Sequence, residues 1–239
     1  MDTLIELSHI KKTFGKLQVL KDISCHFESG NIVSVLGPNA SGKTTMIKSI
    51  LGMVIPDEGD IRFRGARVNN TFDYKKYIGY MPQIGHYPDN MKIGQLFDMM
   101  LDIRNCNKIP DTDLIEAYRL KSMYHKPMRT LSGGTRQKVS AALAFMFNPD
   151  VLILDEPTAG LDPFATEILK QKILAEKANN RLVIITSHIL SESEELADTV
   201  MYLYEGKIKF YEPLAALQME TGEQRLGKIL TRLLTEEHV

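Results

Sequence analysis

The chain has 239 residues, of which 44% are hydrophobic and 25% are charged, and its formal net charge is −1. This is the composition of a globular protein with one full-sized domain, and it excludes a disordered or collagen-like chain. The balanced charge gives no indication of nucleic acid or an anionic membrane surface as the main partner.

The first part of the chain contains short apolar stretches separated by turn residues. They predict strands at residues 4–7, 23–27, 31–36, 61–63 and 77–81. The stretch 31–36 is nearly all apolar, which is typical of a strand buried on both faces. A helical pattern starts at Lys43, and Gly52 closes it.

The segment from about 93 to 147 differs because its apolar residues repeat with helical spacing. It predicts helices at residues 93–104, 111–123 and 134–147, the last stopped by Asn148 and Pro149. Buried strands then alternate again with helices. We expect strands at 151–156, 182–187, 199–204 and 207–211, helices after Pro163 and at 191–197, and a polar amphipathic helix at the C-terminal end.

These elements predict an α/β domain with a parallel core sheet. We expect a core lobe from residues 1–83 and 149–239, with a helical lobe of residues 84–148 inserted in its middle. The longest apolar run, residues 141–147, is far shorter than the roughly 20 residues that span a bilayer. The first residues show no charged-then-apolar leader. Cys25 and Cys106 lack metal-site spacing, so we expect reduced thiols in a cytoplasmic protein.

A phosphate-binding motif, GxxxxGK(S/T), covers residues 37–44, directly after a buried strand and before a helix. Its glycines let successive backbone N–H groups point at phosphate oxygens, and the helix N-terminus adds partial positive charge. Lys43 is suited to the β- and γ-phosphates, and the Thr44 hydroxyl is suited to Mg²⁺. The motif predicts a nucleotide site.

Two carboxylates follow the buried stretch 151–154 at its C-terminal end, where parallel sheets place their ligands. Asp155 is suited to holding the magnesium shell. Glu156 is suited to orienting or deprotonating the attacking water.

A second anion-binding pattern opens the helix that ends near Asn148. Ser132, Gly133 and Gly134 offer a hydroxyl and free N–H groups at a helix N-terminus. Since a domain with one phosphate loop has little use for two phosphate cradles, we expect this one to serve the nucleotide of another subunit.

Together these motifs resemble the nucleotide-binding domain of ABC transporters over essentially the whole chain. Residues 37–44 match the Walker A loop, 151–156 match Walker B, and the LSGGT sequence at 131–135 matches the LSGGQ signature. Phe14 matches the adenine-stacking aromatic, Gln83 the Q-loop glutamine, Asp162 the D-loop aspartate and His188 the switch histidine. Taken singly, Phe14 could be a core aromatic, His188 a surface residue, Gln83 loop polarity and Asp162 a helix cap.

The resemblance implies a P-loop NTPase of the ABC type, with a parallel core sheet, a small antiparallel β subdomain and an inserted α-helical subdomain. It implies hydrolysis of ATP with Mg²⁺ as cofactor. It assigns catalysis to Lys43, Glu156 and His188, and magnesium to Thr44, Gln83 and Asp155. Nucleotide contacts fall to a larger set: Phe14, Gly37, Pro38, Asn39, Ala40, Ser41, Gly42, Lys43, Thr44, Thr45, Gln83, Ser132, Gly133, Gly134 and Asp162.

The sequence departs from the family pattern at two of these places. Thr135 replaces the last glutamine of LSGGQ, but the serine and both glycines are intact, so we expect activity to survive. Phe14 replaces the commoner tyrosine and keeps its stacking face.

The resemblance also implies partners. Two copies would face head to tail, with each ATP between Walker A of one and LSGGT of the other. Separate transmembrane permease subunits would dock beside the Gln83 loop, around residues 84–87. The protein would then lie on the cytoplasmic face of the cell membrane, without nucleic acid.

A finer resemblance concerns the cargo. Residues 80–88 and 131–163 look like the ATPase of the nitrous-oxide-reductase maturation (Nos) transporters, which would imply a role in assembling a copper enzyme. Drug-efflux and gliding-type ATPases share most of these residues and remain alternatives. A soluble ABC ATPase that acts on nucleic acid or ribosomes usually has two cassettes, a coiled-coil insertion, zinc fingers or a basic arm. None of these features is visible in this sequence, which argues against that class. A phosphate-loop kinase has no use for LSGGT and would need an acceptor-binding lid, so the sequence argues against a kinase as well.

Overall fold

The computed structural model describes residues 2–68, 72–104 and 110–236. Its strands are β1 (Thr3–Phe14), β2 (Leu17–Glu28), β3 (Ile32–Leu36), β4 (Glu58–Phe63), β5 (Ala66–Arg67), β6 (Ile78–Met81), β7 (Val151–Asp155), β8 (Leu182–Thr186), β9 (Thr199–Tyr204) and β10 (Lys207–Pro213). Its helices are α1 (Lys43–Ile50), α2 (Ile93–Arg104), α3 (Asp113–Ala117), α4 (Gly133–Phe145), α5 (Pro163–Ala178), α6 (Leu190–Leu196), α7 (Leu214–Thr221) and α8 (Leu226–Glu236). Cys25 is a free, partly buried thiol, as expected, whereas Cys106 lies outside the described residues.

A mostly parallel sheet forms the centre of the described chain, with the strand order β10-β9-β3-β8-β7-β6. The neighbours from β9 to β6 pair in parallel, and β10 runs antiparallel to β9. Every residue of β3, β7 and β8 is buried. Parallel strands read as continuous apolar runs because both of their faces are covered. The predicted parallel core sheet is confirmed.

A second sheet of the described chain is antiparallel, with the order β2-β1-β4-β5. Its strands β1 and β2 are longer than the predicted segments 4–7 and 23–27. They continue through polar residues until Phe14 pairs with Leu17 across a turn at Gly15, where φ is 60°. The length of the two strands is set by their pairing with each other. Apolar periodicity along the sequence therefore predicts only the apolar part of each strand.

The helix predicted at residues 111–123 is wrong in its length. The structure has the short α3, then Arg119 in the left-handed region with φ 53°, then a 3-10 turn at Leu120–Met123. Leu114, Ile115 and Leu120 are all buried, and the break lets both short elements turn apolar side chains inward. Similarly, the C-terminal segment forms two helices, because Gly222 with φ 70° ends α7 before α8 begins.

Apolar clusters cover both faces of the parallel sheet. One packs α1 and the antiparallel sheet against Val151 and Ile153 of β7, and the other packs α2, α3, α4 and α5 against Leu152 and Leu154. Alternate residues of one strand therefore serve two cores. The helical segment shares its apolar core with the sheet, and the division into two lobes stays a prediction.

None of the described helices combines the length and apolar character that crossing a bilayer requires.

A buried ionic cluster ties α3 to α5. The Lys172 ammonium of α5 bonds to the carboxylate of Asp111, lies 2.7 Å from Asp113 Oδ2 and lies 3.0 Å from Glu176 Oε1. The side chains of Lys172, Asp111 and Glu176 are at most 10% exposed. Removing the ammonium would leave the buried Asp111 carboxylate without its counter-charge, and Glu176 would keep only the Arg181 guanidinium at 4.0 Å. Loss of one partner of a buried ion pair is strongly destabilising.

We expect Lys172→Met to lower the free energy of unfolding by about 3 kcal/mol. The matched control is Lys121→Met, since Lys121 lies 3.4 Å from Glu116 with both side chains more than 60% exposed. Exposed pairs contribute about 0–1 kcal/mol, so the control should change little. Urea unfolding followed by circular dichroism measures both variants, and equal losses would contradict the structural role of Lys172.

Candidate active site

The loop between β3 and α1 is shaped by two glycines. Gly37 has φ 146°, and a Cβ there would lie 2.0 Å from the Leu203 carbonyl oxygen and 2.9 Å from Ser41 Oγ. Gly42 has φ 109°, and a Cβ there would lie 2.9 Å from a methyl group of Leu20. No other residue fits without moving β2 or β9. The loop is therefore pressed against the two sheets.

Several hydrogen-bond donors of this loop lack a fixed acceptor. No side chain caps α1, which leaves the N–H groups of its first turn, at Lys43, Thr44 and Thr45, without helical partners. Ser41 is only 3% exposed, yet its hydroxyl has no partner among the described residues. The Lys43 ammonium donates to the carbonyl oxygens of Gly37 at 2.7 Å and of Pro38 at 3.0 Å. This donor set fits the phosphate groups of a nucleotide.

Pro38, Asn39 and Ala40 form the exposed outer part of the loop, and Ala40 adopts the left-handed region with φ 63°. All residues predicted from the phosphate-binding motif therefore lie in one continuous segment, made of the loop after β3 and the first turn of α1.

Asp155 and Glu156 lie at the carboxyl end of β7. Asp155 is buried and accepts a hydrogen bond from the Thr186 hydroxyl of β8. Glu156 has φ 49°, a strained conformation for a residue with a side chain. Its N–H donates to the Thr186 carbonyl oxygen at 3.0 Å. Thr186 therefore fixes both acidic residues, and only its place at the end of a buried strand could have indicated it in the sequence.

Glu156 is held between two other predicted residues. Gln83 Nε2 donates to one carboxylate oxygen at 2.7 Å, and His188 Nδ1 lies 3.2 Å from the other. Gln83 follows β6, Glu156 follows β7 and His188 follows β8. Since neighbouring parallel strands end at the same edge of the sheet, their following loops meet there.

The phosphate loop faces the same acidic residues. Burial lowers the pKa of the Lys43 ammonium, and the charges of Glu156 and Asp155 oppose this shift. The phosphate loop follows β3, which pairs in parallel with β8, so the loop opens at the same edge of the sheet as Asp155 and Glu156. Thr44, Asp155 and Gln83 offer hydroxyl, carboxylate and amide oxygens, which are the hard ligands that Mg²⁺ prefers. The residues present fit the predicted magnesium site.

A separate group of predicted residues lies at the start of α4. Ser132 caps the helix, accepting from the Thr135 N–H at 3.2 Å, and its hydroxyl lies 2.9 Å from the Thr135 hydroxyl. Gly133 and Gly134 form the first turn, and a Cβ on Gly134 would lie 2.6 Å from the Gly160 carbonyl oxygen. The start of α4 is therefore packed against residues 159–162.

Asp162 connects the same region to α5. It caps that helix, accepting from the Ala165 N–H at 2.9 Å, and it pairs with the Lys138 ammonium of α4 at 2.7 Å. In the part of the chain that the structure describes, the hydrogen bonds and ion pairs of Ser132 and Asp162 do not reach residues 37–45. The phosphate loop and the start of α4 thus form two distinct clusters.

Phe14 lies at the end of β1, and its ring is 50% exposed. It is therefore not a core aromatic. The Lys12 ammonium lies 5.4 Å from the ring centroid, on the surface of the sheet. An exposed ring is free to stack on another flat group, and its contact with adenine stays a prediction.

Comparisons with known proteins agree with this geometry. The family model described as "ABC transporter" matches residues 20–159, and a model described as "AAA domain, putative AbiEii toxin, Type IV TA system" matches residues 126–194. The lantibiotic transport ATP-binding protein SrtF of Streptococcus pyogenes is 32% identical over 210 residues, covering 86% of this chain and 89% of that protein. The Nod factor export ATP-binding protein I of Paraburkholderia xenovorans is 31% identical over 230 residues, covering 92% of this chain and 75% of that protein.

Solved structures show the same fold. One described as the ATP binding subunit of an ABC transporter has a TM-score of 0.90 and 25% identity, covering 97% of this chain and 100% of that chain. A dimeric ATP-binding cassette bound to ADP and Pi has a TM-score of 0.79 and 21% identity, covering 88% of this chain and 98% of that chain. The family model matches more than half of the chain, and the relatives exceed 30% identity over most of their length. The chain therefore belongs to the ABC transporter family, of which it is an ATP-binding, ATP-hydrolysing subunit.

Proposed function

We propose that two copies of this chain bind ATP head to tail, each nucleotide lying between residues 37–45 of one copy and residues 132–134 of the other. One observation carries the catalytic part of the proposal: Gln83 and His188 converge on Glu156 at the sheet edge where the phosphate loop also opens. The exposed start of α4 offers a second set of hydrogen-bond donors for an anion. This set is separate from the phosphate loop of the same copy.

In this proposal, different residues of the chain bind the nucleotide, activate the attacking water and hold the metal ion. The phosphate loop and Lys43 hold the β- and γ-phosphates, and Phe14 stacks on the adenine. Glu156 polarises the attacking water and takes its proton, while Gln83 and His188 orient its carboxylate. Thr44, Asp155 and Gln83 would hold Mg²⁺, which when bound neutralises phosphate charge. Asp162 shapes the segment beside the start of α4.

The membrane partners have a suitable surface beside the Gln83 loop. A cavity of about 440 Å³ lies between β6 and the helices α2 and α4. Gly85, His86 and Tyr87 line it together with Met99 and Met100, and Ile84 is exposed at its border. We propose that transmembrane permease subunits dock here, which places the chain on the cytoplasmic face of the membrane. Movement of the loop would then pass directly to Glu156.

The cargo is a narrower hypothesis. The two relatives named above are called after lantibiotic transport and Nod factor export, so relatives with similar cassettes serve different cargoes. A role in nitrous-oxide-reductase maturation rests on residues 80–88 and 131–163, and a drug-efflux or gliding-type ATPase is the alternative. Co-purification from native membranes identifies the membrane subunits, and their identity distinguishes between these transport roles. Recovery of ribosomes or nucleic acid would contradict a transport role.

We expect Lys43→Ala to lose nucleotide binding and to lower ATP turnover by about 10²-fold or more, because it removes the charge facing the phosphates. Lys48→Ala is the matched control, since Lys48 is exposed in the last turn of the same helix. Fluorescent-nucleotide titration and phosphate release measure both effects. Near-normal affinity and turnover in Lys43→Ala would contradict the phosphate-loop assignment.

We expect Ser132→Arg to keep ATP binding by the monomer but to stop hydrolysis, because the bulky cation disturbs the cradle offered to the partner. Mixing this variant with Lys43→Ala creates one composite site with both clusters intact. Some turnover should return, unless the two sites are strictly coupled. Loss of monomeric ATP binding in Ser132→Arg alone would show that the cradle acts within one copy.

We expect Glu156→Gln to lower turnover by about 10²–10⁴-fold while ATP binding survives, since the amide keeps the shape but cannot accept a proton. Unhydrolysed ATP should then hold two copies together. Light scattering after size exclusion should show a dimer with ATP and a monomer with ADP. Unchanged hydrolysis would exclude Glu156 as the base, and an inactive variant that stays monomeric at saturating ATP would contradict ATP-driven pairing of the isolated chain.

A further inference from the structure

Thr135 stands where the family signature has glutamine, and it contacts the functional serine directly. Its hydroxyl lies 2.9 Å from Ser132 Oγ, and its backbone N–H donates to the same oxygen at 3.2 Å. Both contacts come from one residue in the first turn of α4. The Ser132 side chain itself is exposed at the helix start.

The hydrogen-bond capacity of Ser132 decides what these contacts do. A hydroxyl has one hydrogen to donate and two lone pairs to accept with. The Thr135 N–H occupies one lone pair. When the Thr135 hydroxyl also donates, it occupies the second, and the Ser132 hydrogen is the group's remaining capacity. That hydrogen is then available to donate to an acceptor outside the helix.

An anion bound at the start of α4 favours the arrangement in which Ser132 accepts both hydrogen bonds from Thr135 and donates its own hydrogen to the anion. A phosphate oxygen accepts and cannot donate, so Ser132 contributes to its binding only as a donor. Accepting two hydrogen bonds also polarises the serine hydroxyl and strengthens its own donation.

We propose that Thr135 is a positioning residue that directs the Ser132 hydroxyl toward the γ-phosphate held by the opposite copy. The inference rests on the proposed head-to-tail arrangement. Thr135 acts through Ser132 and does not itself touch the nucleotide. It makes this contact at the position where the family signature has glutamine.

The test compares full-length variants in steady-state ATP hydrolysis. Thr135→Val keeps the shape and removes the hydroxyl, and we expect kcat to fall about tenfold with KM for ATP within about twofold. Thr135→Ser keeps the hydroxyl and should restore kcat. Thr112→Val is the matched control, because the Thr112 hydroxyl makes a comparable 3.0 Å hydrogen bond to Glu116 at the start of α3. The kcat of this control should not change.

A second measurement follows pairing directly. In the Glu156→Gln background, Thr135→Val should raise the protein concentration needed for half-maximal ATP-dependent dimer by about tenfold, and Thr135→Ser should not. Thr135→Ala replaces the valine variant if thermal melting shows that the latter is misfolded. Wild-type kcat and pairing in the variants without a hydroxyl, or a serine variant as impaired as valine, would overturn the proposal. If Ser132→Arg also hydrolyses ATP normally, the head-to-tail arrangement fails instead.

Discussion

The parallel pairing of β6, β7 and β8 is the constraint on which the site depends. Parallel strands end at one edge, so the residues that follow them are brought together whatever their separation along the chain. Gln83 and Glu156 are 73 residues apart, yet their side chains lie within 2.7 Å. The register pairs Met81 with Leu154 and Asp155 with Thr186, so the segments that carry Gln83, Glu156 and His188 all begin at one edge of the sheet. A slip of one residue in either pair would turn these side chains to the wrong face.

Short helix α6 holds the segment after His188 in place. Consecutive residues 192–195 each bond to a different part of the fold: Glu192 accepts from the Thr158 hydroxyl at 2.7 Å, Ser193 pairs with Ser34 at 2.7 Å, Glu194 accepts from the Leu226 N–H at 2.5 Å, and Glu195 bonds to Lys170. These partners lie after β7, in β3, in α8 and in α5. The loop that carries His188 is therefore tied to the strand before the phosphate loop and to the turn after Glu156. This arrangement preorganises the contact between His188 and Glu156.

The start of α4 is supported differently, through the segment 159–162. Gly134 lies against the Gly160 carbonyl, and Lys138 pairs with Asp162. The Lys138 hydrogen bond lowers the pKa of the Asp162 carboxyl, which stays charged to cap α5. Helix α4 also buries Val139 and Phe145 in the core that β7 lines. A displacement of α4 would consequently move residues 159–162 together with residues 132–134, which are proposed to face a second copy.

The sequence by itself determined the features that depend on neighbouring residues. The buried strands around residues 32–36, 151–155 and 182–186, the helix that begins at Lys43 and the helix at Ile93–Arg104 all follow from local periodicity and from the glycines at 37 and 42. Tertiary structure alone decided that β9 and not β7 lies beside β3, that Thr186 supports both acidic residues, and that Arg119 breaks a predicted helix. It also decided that Thr135 contacts Ser132 through its hydroxyl. Local sequence patterns predict burial and turns because these depend on residues close together in the chain. Strand order, strand length and side-chain partners depend on contacts between distant segments or on the final orientation of a side chain, so only the tertiary structure decides them.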